Sequence, residues 1–302
     1  LVPFIVIGAL VKSYLLLGRF HPNLVVGTGG YVCWPVLRAA SYRGVRTLLQ
    51  EQNSFPGVST RQLAGRAKKI YLGFAKAAEY MKTDAELIVT GNPVRHNINA
   101  GDRERSIHQY GLDPNKKTIL VLGGSQGARA VNRAIIESLK KNPLSDKYQI
   151  LWQTGKRDYT DVAAAAGNKE NGCSLFPFAQ EMNQVYAAAD LVIARAGALT
   201  LAEIAACELP AILIPYPYAA GDHQKKNAAD FVARSMAVMI EENRLPETDL
   251  LAEAVALLES DQYRAMKQAL ARENEGKQPA VDVIAVDIIR QLDEIKANEA
   301  GN

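Results

Sequence analysis

The sequence predicts an α/β protein of two parallel-sheet domains with a cleft between them. Short apolar runs alternate with stretches of helical periodicity, and this order is typical of parallel sheets covered by helices on both faces. A polar, charged stretch over 96–117 separates two such alternating halves. We therefore expect one domain over 1–95 and a second over 96–279, with the last helix, 280–298, packing back on the first.

The chain opens with an apolar run, Leu1–Val11. The run is shorter than the roughly 20 residues that a bilayer span needs, and it lacks the basic start and small-residue cleavage site of a signal peptide. We expect an amphipathic helix that buries one face in the domain core. The alternative is a helix lying in the membrane interface, with Lys12 and Arg19 at its polar edge.

The remaining elements follow from short apolar runs and the polar or glycine-rich turns that end them. In the first half we predict strands at 24–26, 46–50 and 69–72, helices at 36–42 and 60–67, and a polar loop at 51–57; the stretch 87–90 leads into the motif at 91–95. In the second half we predict strands near 118–122, 149–152, 174–176, 190–194 and 211–214. The segment Asp249–Ala297 is almost entirely helical in pattern.

One strand-to-helix junction, 190–203, indicates a nucleotide site. A buried-strand run ends in a turn of small residues, and a helix follows whose only charge is Glu203. Backbone N–H groups and the helix dipole favour an anion at such a turn, and Thr200 adds a hydroxyl there. A lone carboxylate one turn further along can accept two hydrogen bonds from a ribose diol. The alternative is an ordinary glutamate at the solvated edge of a helix.

A second junction of the same kind follows the 118–122 strand. Its glycine-rich turn, 123–129, allows close approach of the backbone to a phosphate, and Ser125 and Gln126 add side-chain donors. The glycine spacing is not that of a dinucleotide fingerprint, and no Lys-Ser or Lys-Thr pair completes a P-loop. Two such turns in one parallel sheet predict one phosphorylated ligand at the carboxyl ends of the strands.

Composition places the chain among ordinary globular proteins and gives no sign of a nucleic-acid partner. Of the 302 residues 48% are hydrophobic and 22% charged, and the net charge is only +3 with no aromatic–basic interleaving. The three cysteines and four histidines have neither disulfide-framework nor metal-ligand spacing. We therefore expect a protein of a reducing compartment with no metal and no cofactor.

Six motifs taken together, in order, resemble the MurG family of peptidoglycan glycosyltransferases. They begin at Gly29, Glu51, Gly91, Gly123, Arg195 and Asp222, and the likeness extends over essentially the whole chain. The resemblance implies the two-domain GT-B arrangement of Rossmann-like domains. It also implies inverting transfer of N-acetylglucosamine (GlcNAc) from UDP-GlcNAc to the N-acetylmuramoyl-pentapeptide carried on undecaprenyl pyrophosphate, the step from lipid I to lipid II.

The resemblance implies how the donor's diphosphate would be held. Ser125 and Gln126 correspond to contacts with the phosphates or the sugar. Thr200 and the backbone amides of Ala198 and Leu199 correspond to the diphosphate site. Helix N-termini would neutralise the departing UDP, so no metal is implied.

Further donor contacts are implied by the same match. Glu203 corresponds to the residue that holds the ribose hydroxyls, and Phe178 with the backbone of Ala179 to the segment that reads the uracil edge. His223 and Gln224 correspond to contacts with the GlcNAc hydroxyls. The alternative for His223 and Gln224 is an exposed loop, and we expect the preceding Asp222 to cap the following helix.

On the acceptor side the resemblance implies that Asn53 and Arg95 line the cleft, with a turn cap and a linker ion pair as the alternatives. The family's glycine-rich loop with its candidate catalytic histidine has no counterpart in 1–20. We therefore expect an incomplete N-terminal domain, leave the catalytic residue unassigned, and expect little transfer by these residues alone. The implied partners are UDP-GlcNAc, the lipid-linked acceptor and an anionic membrane surface, at the cytoplasmic face of the bacterial inner membrane.

Two other functions stay open from the sequence. One is a nucleotide-sugar-binding fragment without turnover. The other is a different GT-B enzyme, such as a diacylglycerol glycosyltransferase or a UDP-GlcNAc 2-epimerase. The pair Gln52 and Asn53 and the motif at 91–95 favour the peptidoglycan enzyme over these alternatives.

Overall fold

A computed structural model describes residues 2–124, 127–166 and 172–300. The chain forms two compact units. Unit 1 comprises Leu1–Val94 together with Gln278–Asn302, and unit 2 comprises Arg95–Lys277. Ser125 and Gln126 lie outside the described residues, so the predictions that fall on them have no structural counterpart.

Unit 1 is a four-stranded parallel sheet whose strands lie in chain order. The strands are β1 (Leu24–Gly27), β2 (Arg46–Glu51), β3 (Lys69–Leu72) and β4 (Glu86–Val89). The helices are α1 (Val2–Phe20), α2 (Cys33–Tyr42), α3 (Val58–Leu63) and, from the end of the chain, α12 (Ala280–Ala300), with 3-10 turns at Ala64–Arg66 and Ala75–Tyr80.

Parallel pairing explains the composition of these strands. β2 and β3 are central, both are almost entirely buried, and neighbouring strands are joined by crossovers that contain α2, α3 and the 3-10 turns. Leu37 of α2 packs with Leu49 and Ile70 of the sheet in the core of unit 1. Burial from both faces removes the polar–apolar alternation of a half-exposed sheet, and the buried polar residues of β2, Gln50 and Glu51, have hydrogen-bond partners instead.

The first helix corrects one expectation. We expected α1 to bury its apolar face in the core, but only a narrow stripe of Leu10, Ser13 and Leu17 packs against the unit. The helix is apolar nearly all round, so a single neighbouring helix covers only one side of it. The exposed side chains include Phe4, Ile5, Ile7, Val11, Leu15, Leu16 and Phe20.

A buried polar cluster fastens α12 to the sheet of unit 1. Asp287 accepts hydrogen bonds from the Tyr71 hydroxyl at 2.7 Å and from Lys69 Nζ at 3.1 Å. Arg290, one turn further along α12, also pairs with Asp287. Lys69 is 3% exposed and also contacts Glu86 at 3.1 Å. The C-terminal helix therefore belongs to the first unit through charges that are largely removed from water.

Unit 2 is a six-stranded parallel sheet with the order β10-β9-β8-β5-β6-β7. Its strands are β5 (Lys117–Leu122), β6 (Tyr148–Gln153), β7 (Cys173–Phe176), β8 (Leu191–Ala194), β9 (Ala211–Leu213) and β10 (Ala237–Met239). Its helices are α4 (Arg103–Tyr110), α5 (Arg129–Lys141), α6 (Tyr159–Ala166), α7 (Met182–Ala187), α8 (Ala198–Ala206), α9 (His223–Ala233), α10 (Leu250–Glu259) and α11 (Asp261–Asn274).

Most predicted elements are present, and the differences have physical causes. β10, a three-residue strand at the edge of the sheet, was not predicted. Glu51, expected in a polar loop, ends strand β2 and is 3% exposed, since its carboxylate accepts backbone N–H groups from Asn53 and Gly57. The predicted C-terminal helical segment is broken at Ser260, whose side chain caps α11, and again at 275–279.

Among the described residues no helix is both long enough and apolar enough to cross a membrane. Cys33, Cys173 and Cys207 are not joined to one another by disulfides in the described structure.

Removing the Asp287 carboxylate should destabilise unit 1. Asp287→Ala leaves Lys69 and the Tyr71 hydroxyl buried with fewer partners, and we expect a loss of about 3 kcal/mol, because breaking a buried ion pair is costly. Equilibrium urea unfolding measures the loss, and hydrogen exchange on α12 localises it. Asp293→Ala, an exposed position on the same helix, is the control and should change stability little. Equal stability of the two variants would contradict the assigned role.

The same cluster gives a pH dependence. Burial alone would raise the pKa of Asp287, but hydrogen bonds from Tyr71, Arg290 and Lys69 outweigh it and lower the pKa. The ionised carboxylate therefore stabilises the folded state above the ordinary Asp pKa, and this stability is lost as the pH falls through the lowered value. The Asp287→Ala variant should lack this part of the acid dependence.

Candidate functional site

The two predicted phosphate turns leave adjacent strands at the same edge of the unit 2 sheet. β5 pairs with β6 on one side and with β8 on the other, and Leu122, the last residue of β5, lies opposite Ala194, the last residue of β8. The chain runs from β5 through β6 to β7 and then crosses to β8, so the strand order reverses here. In open α/β sheets this reversal forms a crevice at the carboxyl ends of the strands, where ligands bind.

The turn after β8 leads directly into helix α8. Gly197 is the N-cap residue with extended dihedrals, φ −66° and ψ 139°, and as a glycine it contributes no side chain to cap the first turn. Leu199 is 45% exposed, and the Thr200 hydroxyl lies over the cap, 3.6 Å from where a Gly197 Cβ would stand. The first turn of α8 therefore offers backbone N–H groups and a hydroxyl at the positive end of a helix dipole.

Arg195 holds this turn in place. Its guanidinium donates to the carbonyl of Ile214 at 3.1 Å and to that of Pro215 at 3.3 Å, just after β9. The same guanidinium forms an ion pair with Glu242 and lies over the ring of Tyr216. The start of α8 is thus anchored to the neighbouring strand and does not depend on a ligand for its position.

Glu203 lies one turn into α8 and is half-buried. The hydroxyl of Tyr186, a residue of α7, donates to Glu203 Oε2 at 2.8 Å. Burial raises the pKa of Glu203 above its ordinary value, while the Tyr186 hydrogen bond and the positive charge of Arg95 act in the opposite direction. The sequence singled out Glu203 as a lone carboxylate, but one of its oxygens already has a protein partner.

The glycines after β5 have a packing role that the sequence did not reveal. A Cβ at Gly123 would lie 2.9 Å from the carbonyl oxygen of Gln153, and one at Gly127 would lie 2.8 Å from that of Thr154. Gly127 also has a left-handed backbone, φ +81°, as does Gly124 at φ +71°. Gly123 and Gly127 therefore lie tightly against the end of β6, and at Gly127 only glycine permits both the contact and the dihedrals.

A buried polar chain supports this turn from below. Asn132 of α5 is 2% exposed; its amide nitrogen donates to the Thr154 carbonyl at 2.9 Å and to Asp158 at 3.3 Å. The indole N–H of Trp152 donates to the Asn132 amide oxygen at 3.1 Å. Fully partnered buried groups of this kind fix a loop in one geometry.

The segment after β7 contains the predicted uracil contacts. Phe178 is 45% exposed, and the Lys156 ammonium lies 5.6 Å from the centre of its ring. The Ala179 N–H is already donated to the side chain of Gln153 at 3.2 Å. For the Ala179 N–H to donate to the edge of a uracil base, its hydrogen bond to Gln153 must first break.

His223 and Gln224 begin helix α9, and both are half-buried rather than fully exposed. Gln224 Oε1 accepts the Tyr216 N–H at 2.9 Å, which ties the helix to the segment after β9. Asp222 is at the N-cap position but has a left-handed backbone, φ 57°, and its side chain makes no capping bond, so the expected cap is absent. Asn227, fully buried, reaches the carbonyl of Ala196 at 3.4 Å.

The two residues expected on the acceptor side fall in different units. Asn53 belongs to unit 1, where its backbone and side-chain N–H groups contact Glu51 Oε1 at 3.0 and 3.3 Å. Arg95 is the first residue of unit 2; it donates to the Gln180 carbonyl at 3.4 Å, and its charge acts on Glu203. Unit 2 therefore contains Arg95 together with all the described donor-side candidates.

Tyr186 is the residue of this site that the sequence analysis missed. Tyr186 is 2% exposed and lies in a short helix, with small apolar residues beside it in the sequence. Its carboxylate partner, Glu203, comes seventeen residues later. No spacing rule connects two residues that far apart on different helices. Within the described ranges no group of three or more His, Cys, Asp and Glu side chains could hold a metal ion.

Two family models match the chain. The glycosyltransferase family 28 C-terminal domain matches residues 118–284, and the corresponding N-terminal domain matches residues 1–72. The first match alone spans more than half of the chain and contains every strand of the unit 2 sheet except the first residue of β5.

Curated relatives agree with these matches. A UDP-N-acetylglucosamine–N-acetylmuramyl-(pentapeptide) pyrophosphoryl-undecaprenol N-acetylglucosamine transferase of Chlorobaculum parvum is 40% identical over 282 residues, covering 93% of this chain and 76% of the relative. A transferase of the same name from Alkaliphilus metalliredigens is 37% identical over 289 residues, covering 95% and 78%.

Solved structures share the fold of this chain. The crystal structure of Acinetobacter baumannii MurG superposes with a TM-score of 0.76 at 26% identity, covering 96% of this chain and 80% of that one. A putative UDP-N-acetylglucosamine 2-epimerase from Listeria monocytogenes superposes with a TM-score of 0.68 at 16% identity, covering 98% and 80%. The second likeness is one of fold alone.

Two left-handed glycines of the β5 turn give a matched test of its packing. Gly124→Ala should destabilise unit 2 by about 1–2 kcal/mol, the usual cost of a left-handed alanine. Gly127→Ala should cost about 3 kcal/mol or more, because its Cβ also overlaps the Thr154 carbonyl. Trp152 fluorescence in a Trp34→Phe background follows the unfolding. Equal losses for the two variants would show that the close contact with β6 is unimportant.

Proposed function

This chain belongs to glycosyltransferase family 28, and on that premise we propose that it transfers N-acetylglucosamine from UDP-GlcNAc to the lipid-linked N-acetylmuramoyl-pentapeptide of peptidoglycan synthesis. Its fold is that of a GT-B enzyme, with two parallel-sheet α/β units. Relatives at about 40% identity over more than nine tenths of the chain carry this activity in their names. The reaction class is hexosyl transfer.

One observation supports the proposal more than any other. The turns after β5 and β8 begin at directly paired residues, Leu122 and Ala194, and Glu203 follows on the helix that starts at the second turn. A diphosphate at the α8 N-terminus and a ribose one helical turn further along match the spacing of a nucleoside diphosphate. We assign the diphosphate to Thr200 with the amides of Ala198 and Leu199, and the ribose to Glu203.

The remaining donor contacts follow from the neighbouring strand ends. Phe178 and Ala179, after β7, are assigned to the uracil, and His223 and Gln224, at the start of α9, to the GlcNAc hydroxyls. The positive charge of Arg95 acts on Glu203, the residue assigned to the ribose. We therefore place Arg95 on the donor side. Asn53, at the carboxyl end of β2 in unit 1, remains an acceptor-side candidate.

The chemistry of the transfer uses this arrangement directly. The 4-hydroxyl of the acceptor sugar forms a bond to C1 of GlcNAc from the face opposite the departing UDP, the C1–O bond to the diphosphate breaks, and the hydroxyl proton is lost. Negative charge grows on the diphosphate as that bond breaks. Backbone N–H groups and the helix dipole of α8 are aimed at that charge in advance, so they stabilise the transition state without reorganising.

The exposed face of α1 supports the membrane part of the proposal. Phe4, Ile7, Leu15 and Leu16 are each more than half exposed, on a helix that also carries Lys12 and Arg19. A contiguous apolar face of this kind marks an interaction surface, and basic residues near it favour anionic lipid. We propose that α1 lies in the interface of the cytoplasmic face of the bacterial inner membrane, where a lipid-linked acceptor is accessible.

Loss of the Glu203 carboxylate should weaken nucleotide binding. Glu203→Ala removes a charged acceptor worth about 1.5–3 kcal/mol, so the dissociation constant for UDP should rise about tenfold or more. Glu203→Gln retains an acceptor oxygen and should weaken binding less. Isothermal titration calorimetry with UDP measures both, and Glu259→Ala, on α10 of the same unit, is a control. Parent-like affinity of both Glu203 variants would refute the ribose assignment.

Membrane contact should depend on the exposed face of α1. The double variant Phe4→Glu and Leu15→Glu places charges on that face, and we expect it to abolish co-flotation with anionic vesicles at low salt. Val286→Glu, on the equally exposed face of α12, is the matched control and should still float. The assignment fails if the parent never floats, or if the α1 variant floats as well as the parent.

A further inference from the structure

A buried tyrosine lies directly behind the carboxylate assigned to the ribose. The Tyr186 ring is almost fully enclosed in unit 2, and its hydroxyl reaches Glu203 Oε2 at 2.8 Å. α7 is itself held by a buried network, in which the hydroxyl of Ser106 and the backbone N–H of Asp102 donate to Gln184 Oε1 at 2.6 and 3.3 Å. The Tyr186 hydroxyl therefore has a defined position, and the glutamate adjusts to it.

This contact limits the conformations of the glutamate side chain. A glutamate on a helix surface has three rotatable bonds, and holding it in one conformation costs free energy unless a partner fixes it. Tyr186 engages Oε2 from the buried side, which leaves Oε1 as the oxygen that Tyr186 does not engage. A carboxylate fixed in this way is prepared to accept from a ribose diol without a further loss of freedom.

The hydrogen bond from Tyr186 also affects the ionisation of Glu203. Burial raises the pKa of Glu203; the Tyr186 hydroxyl on α7 and Arg95, ahead of α4, act to lower it. Cys207, the residue that follows α8, is a further titratable neighbour; its own pKa is raised to about 12 by burial and by Glu203, so it stays a neutral thiol. Loss of the Tyr186 hydroxyl thus removes one of the groups that keep Glu203 charged.

We propose that Tyr186 is a positioning residue for nucleotide binding: its hydroxyl orients Glu203 so that the carboxylate receives the ribose diol. This inference rests on the proposed function, in which Glu203 binds the ribose. Tyr186 itself touches no substrate. Its contribution is therefore confined to ligands that carry the diol, which distinguishes it from a tyrosine that only fills the core.

The test compares the affinities of the parent and of one variant, Tyr186→Phe, for two ligands, UDP and 2′-deoxy-UDP. Tyr186→Phe keeps the ring and removes the hydroxyl, and we expect it to weaken UDP binding about five- to tenfold, less than loss of the Glu203 carboxylate itself, because the hydroxyl acts on the ligand only through that carboxylate. Binding of 2′-deoxy-UDP, which lacks part of the diol, should change much less. Calorimetry measures all four affinities. Tyr148→Phe removes a similar Tyr–Glu bond, to Glu259 at 2.6 Å, and should leave both affinities unchanged.

A pH profile gives a second readout. The share of the UDP affinity that the Glu203 carboxylate contributes is present above the pKa of Glu203 and is lost as the pH falls through it. Without the Tyr186 hydroxyl that pKa rises further, so the loss should begin at a higher pH in Tyr186→Phe than in the parent. A core-filling role predicts no shift of the profile.

The outcomes separate this inference from the function on which it rests. A parent that prefers UDP to 2′-deoxy-UDP, with a Tyr186→Phe variant that shows the same preference and the same pH profile, overturns the role of Tyr186 alone. A parent with no such preference overturns the ribose assignment and this inference together. As a safeguard against misfolding, Tyr186→Phe combined with Glu203→Ala, which leaves the hydroxyl no acceptor at position 203, should bind UDP as Glu203→Ala does; an additive further loss would also overturn the proposal.

Discussion

The pairing of β5 with β8 is the constraint on which the rest of the candidate site depends. It sets Leu122 beside Ala194, so the turns that follow must leave the sheet as neighbours, at the point where the strand order reverses. Every other donor-side candidate is placed relative to this pair: Phe178 after β7, His223 at the start of α9, and Glu203 along α8. A change that shifted this register would move all of them at once.

The two turns are held by the protein itself, by different means. After β5, Gly123 and Gly127 lie against the end of β6, and Asn132 holds the Thr154 carbonyl that Gly127 contacts. The β8 turn is fixed by Arg195, which reaches across to the carbonyls after β9. Donors that are rigid before the ligand arrives stabilise charge more effectively than donors that must reorganise, and this suits a site from which a diphosphate departs. In unit 1 a contact between residues distant in the chain plays a similar structural part: the cluster around Asp287 holds α12 against the sheet.

The sequence was sufficient where a feature is local and insufficient where it depends on tertiary contacts. Continuous apolar runs revealed β5 and β8, and the glycine-rich turn after β5 together with the small-residue turn after β8 indicated the candidate site. The role of Gly127 as a packing residue, the burial of Glu51 and the partnership of Tyr186 with Glu203 all depend on residues distant in the chain. The exposure of α1 could not be read from its pattern either, since a helix apolar on all sides does not indicate how much of it its neighbours will cover.

The most direct test of the account is a crystal structure of this chain with UDP-GlcNAc. The account predicts that the diphosphate oxygens lie within hydrogen-bond distance of the amides of Ala198 and Leu199 and of the Thr200 hydroxyl, with the ribose diol on Glu203. The β5 turn should lie beside the same diphosphate. A nucleotide bound at any other edge of the sheet, or one whose ribose lies away from Glu203, would contradict it.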